Sequence, residues 1–536
     1  MIFGYVDKNK ICYETDKKVF ENDKYFLVID GYVDDNYYNK VIDMYEKDKY
    51  DFINNLNNYI SIYLFDKKNK ELLLINDHIG SKKIYYYVLD NKIYFSNDLR
   101  NFKKKNKSIN VEVLSMYFRH HFIPEPYTIY NDIYKLEHGY YLVYKDNKIS
   151  KNKYFDVIDK FNNRKSEKNY EEIENKLETL LINQLDELTR NKKNIGIYLS
   201  SGVDSNLAFS LYSKISKKKI NTFTVGFESK RYNEAEASKK IAKYLKSNHH
   251  ELILKNDEAL GYVKKIPDYF CEPFGDPSVV ATIILNEFAH KNNIEFAITG
   301  DGSDQLFCGA REYDRMYKLR NVFHNPFRIK ANKFLLKNRK LFYIFAKIPK
   351  EYRCQVDVIY KENNIDGLFI DNGPKRFDYE NKINTKNIQE KRMILDLNTF
   401  MAERVFQKMC IAANKNNISV LSLYLTKDMI EYSFNIPHKF KYHNKVKKYI
   451  LRKILYKTIP EEFFDKIKKG FAIPTVDWLK TSLNSDLKRL STKEYLKKQN
   501  IFNYEKVQYL IEHIAENANL VWDYYVFQLW YEKNFK

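Results

Sequence analysis

The chain has 536 residues, too many for one ordinary domain at roughly 150 residues each, and large α/β folds reduce the expected number to two or three. Hydrophobic residues make up 44% and charged residues 30%, which excludes collagen-like, mucin-like and wholly disordered chains and leaves a sizeable core. Lys and Arg total 91 against 70 acidic residues, a formal +21, but they are mostly interleaved with acids in a chain crowded with Lys, Asn, Tyr and Ile, so the charge reads as a solvated surface rather than a nucleic-acid footprint.

From the N-terminus to about residue 155 the chain reads as short strands with turns. Ile60–Phe65, Glu71–Asn76, Ile84–Val88 and Lys92–Phe95 are β-branched, aliphatic or aromatic runs bounded by Asp, Asn, Lys and Gly. A β-rich layered domain is expected over residues 1–157. The polar stretch 160–168 has the composition of an exposed linker, and a second domain is expected over 158–536. There, Asn169 with Glu172 forms a capping box ahead of Ile173, Leu177, Leu180, Leu181, Leu185 and Leu188, spaced as on one helix face.

Strands then alternate with helices. Strands are expected at 194–199, 221–227, 250–254 and 295–299, with helices at 206–215, 233–246 and about 278–291. This alternation specifies right-handed crossovers and a doubly wound parallel sheet with helices on both faces, an α/β class, and the last ~200 residues read as mainly helical. Five cysteines (Cys12, Cys271, Cys308, Cys354, Cys410) are far apart and form no C-x-x-C pair, so neither a disulfide framework nor a zinc knuckle is expected. Cys12 is assigned to packing. No signal peptide or run of ~18 apolar residues is found, and a reduced cytoplasmic location without a membrane partner is expected.

Two loops carry the chemistry. Ser200-Ser201-Gly202-Val203-Asp204-Ser205 lies between a strand and a helix, where small residues admit an anion and the helix N-terminus and hydroxyls supply donors. Asp204 fits a loop of this kind if Mg²⁺ bridges it to phosphates, and the Walker pattern is absent. Thr299-Gly300-Asp301-Gly302-Ser303-Asp304 ends a later strand of the same sheet, which offers Asp304 as a second magnesium ligand. His249-His250, without acids at ligand spacing, reads as a strand edge.

With these loops the chain resembles the asparagine synthetase and β-lactam synthetase family. Ser200–Ser205 resembles its pyrophosphate-binding S-G-G-x-D-S loop, Thr224-Val225-Gly226-Phe227 its adenosine-contacting strand, and Glu272–Ser278 its E-P-F-x-D-P-S segment. Thr299–Asp304 resembles its second acidic loop, and Lys468-Lys469-Gly470-Phe471-Ala472-Ile473-Pro474 its K-x-G-F-x-x-P segment. The resemblance implies ATP on Leu199, Ser200, Ser201, Gly202, Asp204, Ser205, Val225, Thr299 and Gly300. It further implies Mg²⁺ on Asp204 and Asp304, with Lys468 and Asp301 as catalytic residues.

The N-terminal half resembles the family's glutaminase domain (Ntn-hydrolase-like) through Asn76–Gly80, Ile84–Tyr86 and Tyr94–Leu99. It departs at decisive positions: Ile2 stands for the nucleophilic cysteine, Asp30-Gly31-Tyr32 for the N-G-E glutamine-binding turn, and Asn76-Asp77 for R-D. In the second half, Asp304-Gln305 replaces D-E and Ser419–Thr426 replaces E-x-R-x-P-F-L-D. An AMP-forming carboxylate-amine ligase without its own glutamine hydrolysis is expected, acting on a small-molecule or peptide carboxylate. Its amine would be ammonia, free or partner-supplied, or a group on the substrate itself. A cyclase of the β-lactam synthetase or lasso type is one alternative and an RNA-modifying or RNA-binding protein another. A homodimer is left open.

Overall fold

In the computed structural model the described residues are 1–102, 108–228, 235–323, 354, 365, 367–370, 382–464 and 473–535. The N-terminal part stacks two antiparallel sheets. One contains β1 (Ile2–Asp7), β2 (Lys10–Thr15), β7 (Tyr85–Leu89), β8 (Lys92–Ser96) and β9 (Tyr134–Lys135), in the order β2-β1-β8-β7-β9. The other contains β3 (Val19–Glu21), β4 (Tyr25–Asp30), β5 (Ser61–Asp66), β6 (Glu71–Ile75), β10 (Tyr140–Lys145) and β11 (Lys148–Lys153), in the order β11-β10-β6-β5-β4-β3.

The central strands β4, β5 and β6 of the second sheet are buried on both faces, which explains why they read as continuous apolar runs rather than alternating ones. Phe26 and Val28 face the first sheet with Phe65, Leu74 and Phe95. Leu27 and Ile29 point the other way, under helix Asn36–Asp48 with Val41 and Tyr45. Helix Val111–His120 covers the outer face of the first sheet, where Tyr85 and Tyr87 join Val113 and Phe118.

The C-terminal part is built on a parallel sheet of β12 (Ile195–Tyr198), β13 (Asn221–Phe227), β14 (Asn248–Leu254), β15 (Phe296–Thr299) and β16 (Ser419–Ser422), in the order β14-β13-β12-β15-β16. Helices follow to Phe535. Among the described residues, no helix is long and apolar enough to cross a membrane.

Several sequence expectations change here. The helix expected at 206 begins at Val203, so Asp204 and Ser205 belong to its first turn. β16 was not anticipated, and neither were the helices at 36–48 and 111–120. The stretch 160–168 is not a loose linker throughout, because Phe161 is buried and Asn435 accepts from the backbone of Lys165 (2.8 Å) and Glu167 (2.9 Å). Cys12 is exposed on β2 and fills no core. His250 stacks on Phe223 at 4.6 Å and His249 meets Thr222 at 3.0 Å, the expected strand-edge role.

Candidate active site

Strand order in the C-terminal sheet reverses between β12 and β15. In sheets of this kind, the crevice forms at the carboxyl ends of the two strands where direction switches. The Ser200–Ser205 loop leaves β12 there and the Thr299–Asp304 loop leaves β15. The two loops pack directly against each other: a Cβ on Gly300 would lie 2.8 Å from Asp204 Cβ and 3.0 Å from Ser205 N, so only glycine permits this approach.

The first loop is held open by its own side chains. Ser200 N and Gly202 N donate to Ser205 Oγ and Ser200 Oγ, both at 3.1 Å. Asn206 Nδ2 donates to the carbonyls of Ser200 (2.8 Å) and Gly202 (2.6 Å). Gly202 caps helix Val203–Ile215 without a side chain, which leaves the helix N-terminus available to an anion. Thr224 Oγ1 donates to Leu199 O at 2.8 Å, tying the adenosine-like strand to the loop, with Val225 buried beside it. Thr299 is also buried, and its hydroxyl has no hydrogen-bond partner among the described residues. An orphaned hydroxyl at a crevice floor costs free energy unless a ligand or water satisfies it.

Asp204 and Asp304 meet at a cation that the sequence did not single out. Lys448 Nζ lies 2.5 Å from both Asp204 oxygens and 2.5 Å from Asp304 Oδ1, and Ser303 Oγ donates to Asp204 Oδ1. Lys448 precedes helix Tyr449–Tyr456 in the left-handed region (φ 55°), a conformation costly for a side chain with a Cβ and characteristic of sites that need it. Gly309 completes the seat, since a Cβ there would overlap Lys448 Cε at 1.9 Å. The two carboxylates offer the hard oxygens that magnesium prefers, and Lys448 is the cation that now pairs with them. Asp301 sits one hydrogen bond from β16, its carbonyl accepting from Ser422 Oγ at 2.8 Å. Lys468 and the segment through Ala472 lie outside the described residues; Ile473 and Pro474 lead into helix Thr475–Lys480.

Residues 176–532, more than half of the chain, match the asparagine synthase family. The chain belongs to that family. Residues 39–155 match the glutamine amidotransferase domain. The glutamine-hydrolyzing asparagine synthetase 1 of Bacillus subtilis is 22% identical over 512 residues, covering 89% of this chain and 78% of that protein. Amidase chry2 of Gibberella zeae is 22% identical over 525 residues, covering 87% and 77%. Amidase chyE of Penicillium rubens is 21% identical over 527 residues, covering 88% and 78%. As an asparagine synthase family member the chain is a ligase of the ATP-dependent, amide-forming type.

The N-terminal part of this family member is altered where a glutaminase would work. Ile2 is 2% exposed in the core between the sheets, and its N–H donates to Asn97 Oδ1 at 2.9 Å. Asn97 in turn donates to Asp30 Oδ2 at 2.7 Å. Tyr32 packs edge-on against Phe296 of β15 at 4.6 Å. It shares a cavity of about 120 Å³ with Tyr59, Lys192, Ser419 and Leu421, so the two segments that depart most from the family pattern meet in space. Tyr59 OH donates to Ser422 O at 2.7 Å, which puts that cavity one residue from the Asp301 contact.

Proposed function

We propose that this protein adenylates a carboxylate with ATP and transfers the acyl group to an amine, without hydrolysing glutamine itself. The observation that carries the reading is the Asp204–Lys448–Asp304 junction at the strand switch point, beside the Ser200–Ser205 loop at the N-terminus of helix Val203–Ile215. Leu199, Ser200, Ser201, Gly202, Ser205, Val225, Thr299 and Gly300 would hold ATP. Asp204 and Asp304 would hold Mg²⁺, which would neutralise charge on the phosphates.

A substrate carboxylate oxygen attacks the α-phosphorus, the bond from that phosphorus to the bridging oxygen breaks, and pyrophosphate leaves. Lys448 and Lys468 offset the negative charge that develops, an effect worth most in a site closed to water. An amine nitrogen then attacks the acyl carbon, AMP departs, and the amine's surplus proton passes to Asp301. Proximity is the protein's other contribution, because both substrates are held at one crevice. Isoleucine at position 2, in place of the nucleophilic cysteine, supplies no thiolate for a glutamyl thioester, so the amine is ammonia or a group on the substrate. The division at residue 157 is part of the same proposal: residues 1–157 act as scaffold and 158–536 as ligase.

Exchange of labelled pyrophosphate into ATP, run with a panel of carboxylic acids and no amine, tests the first step. Carboxylate-dependent exchange is expected. Turnover that yields ADP and phosphate refutes the mechanism.

A further inference from the structure

Outside the crevice, the described residues hold a cluster of buried charge where the N-terminal layers meet the ligase. Lys83, Glu125, Lys135 and His138 come from the layers, Glu272 and Glu403 from the ligase, and no side chain among them is more than 10% exposed. Lys83 Nζ contacts a Glu403 oxygen and lies 3.3 Å from Glu125. Lys135 Nζ lies 2.8 Å from Glu272 and 3.9 Å from Glu403. Glu125 accepts from His138 N at 3.0 Å and pairs with His138 Nδ1. Glu272 also accepts from Ile129 N at 2.7 Å.

Glu272 opens the 272–278 segment, which ends at the N-terminus of helix Val279–Lys291. That helix runs back to the start of β15, so its N-terminus and the segment lie on the crevice side of the sheet. Glu403 lies on a π-helical stretch, Leu397–Val405, whose next residue, Arg404, donates to Asp276 at 3.0 Å. Lys408 donates to the same Asp276 oxygen at 3.2 Å and to Ser278. From the layers, His121 O accepts from Gly275 N at 2.8 Å. The segment is therefore gripped from both sides, and Glu403 joins the two grips.

We propose that Glu403 and His138 are positioning residues, sharing one proton in a buried network through which the N-terminal layers hold the 272–278 segment at the crevice. The segment's part in catalysis rests on the ligase reading; the network does not. Three carboxylates face two lysines, which leaves one negative charge that burial does not tolerate. One proton, on the imidazole or on Glu403, makes the set neutral. Burial, then the neighbouring Glu125 carboxylate, pushes Glu403 up to about 7. Burial works against the His138 cation, but Glu125 outweighs it and His138 is raised above its ordinary value.

The neighbouring histidine, tyrosine and cysteines neither supply nor take up this proton. Burial pushes His78 down to about 4, so it stays neutral, and burial raises the Tyr85, Cys271 and Cys410 protons out of range. Asp276 faces both Arg404 and Lys408, and the one surplus positive charge of that trio is directed at Asp276 Oδ2 and Ser278 Oγ rather than at Glu403 or Glu125. Glu125, His138 and Glu403 also offer three ligand atoms within 4.8 Å of one another, but Lys83 already serves those carboxylates. A divalent ion added to both ammoniums would leave a surplus positive charge.

Because the folded state binds this proton more tightly than the unfolded chain, its stabilisation is complete in acid and is lost as pH rises through about 7 and beyond. Hydrogen exchange of the 272–278 amides in the full chain, corrected for intrinsic pH dependence, tests the proposal. From pH 6 to 9 the wild type should gain about threefold or more in exchange, and Glu403→Gln, neutral without the proton, should stay slow at both. NMR of the His138 ring in the wild type should show it titrating above the ordinary histidine range, a readout that needs no variant. Flat wild-type exchange, Glu403→Gln that follows the wild type, or a His138 ring neutral from pH 6 upward overturns the proposal. So does suppression of the pH effect by added Zn²⁺, which would make the cluster a metal centre. None of these readouts requires ligase activity, so they fail or succeed apart from it.

Discussion

Lys448 is the residue on which the crevice's electrostatics turn, since it neutralises two carboxylates drawn from loops 100 residues apart in the chain. Replacing it with Met should cost roughly two orders of magnitude or more in pyrophosphate release, the scale of one preorganised charge contact. Asp204→Asn and Lys468→Ala should cost the same order. Lys448→Met has a second signature, because it removes the ammonium seated between Asp204 and Asp304: Mg²⁺ without nucleotide should raise its melting temperature more than it raises the wild type's. Equal shifts would mean that the two aspartates do not form a metal site. The phosphate loop was legible from residues 200–205, where spacing and residue type carry the chemistry. Lys448 was not, because a lysine before an amphipathic helix looks like any exposed one until a contact 244 residues away is formed.

At the scale of elements, four of the five parallel strands were legible within a few residues because their short β-branched runs are bounded by turn residues and alternate with helical periods. The helix at 111–120 was missed for the reason the strands were found: Val111, Val113, Tyr117 and Phe118 favour a strand locally, and the Asn110 cap with packing against the first sheet decides otherwise. β16 is only four residues long and is defined by its pairing to β15, which no local pattern announces. The short helix His438–Lys441 holds a buried cation with a testable cost. Burial pushes Lys441 down to about 8, so the unfolded chain binds its proton more readily between about 8 and the ordinary lysine value, and stability rises with pH across that window. Lys441→Met should therefore raise the melting temperature at pH 7, with the gain shrinking towards pH 10.5. A gain that is independent of pH would contradict the assignment.

At the scale of the whole molecule, the N-terminal layers share a core with the ligase part. One hydrophobic cluster runs from Tyr85, Val113 and Phe118 of the layers into Leu177, Phe502, Trp522 and Phe527, and Phe118 meets Phe502 at 5.7 Å. Deleting residues 1–157 would expose this face and leave Glu272 and Glu403 without their lysines. Aggregated or unstable protein is the expected outcome, checked by gel filtration and thermal melting. A soluble, monomeric, active fragment starting near 158 would show that the layers are dispensable.

The central claim is that a chain with the ligase crevice of its family and a filled glutaminase core still forms acyl-adenylates but draws no nitrogen from glutamine. Phosphorus NMR of ATP turnover, with ammonium or glutamine as the amine source and a panel of carboxylic acids, tests it in one measurement when glutamate is assayed in the same samples. The account predicts AMP and pyrophosphate with ammonium or an amine-bearing substrate, and no glutamate from glutamine. ADP and phosphate as products, or glutamate released in step with AMP and abolished by thiol alkylation, would contradict it.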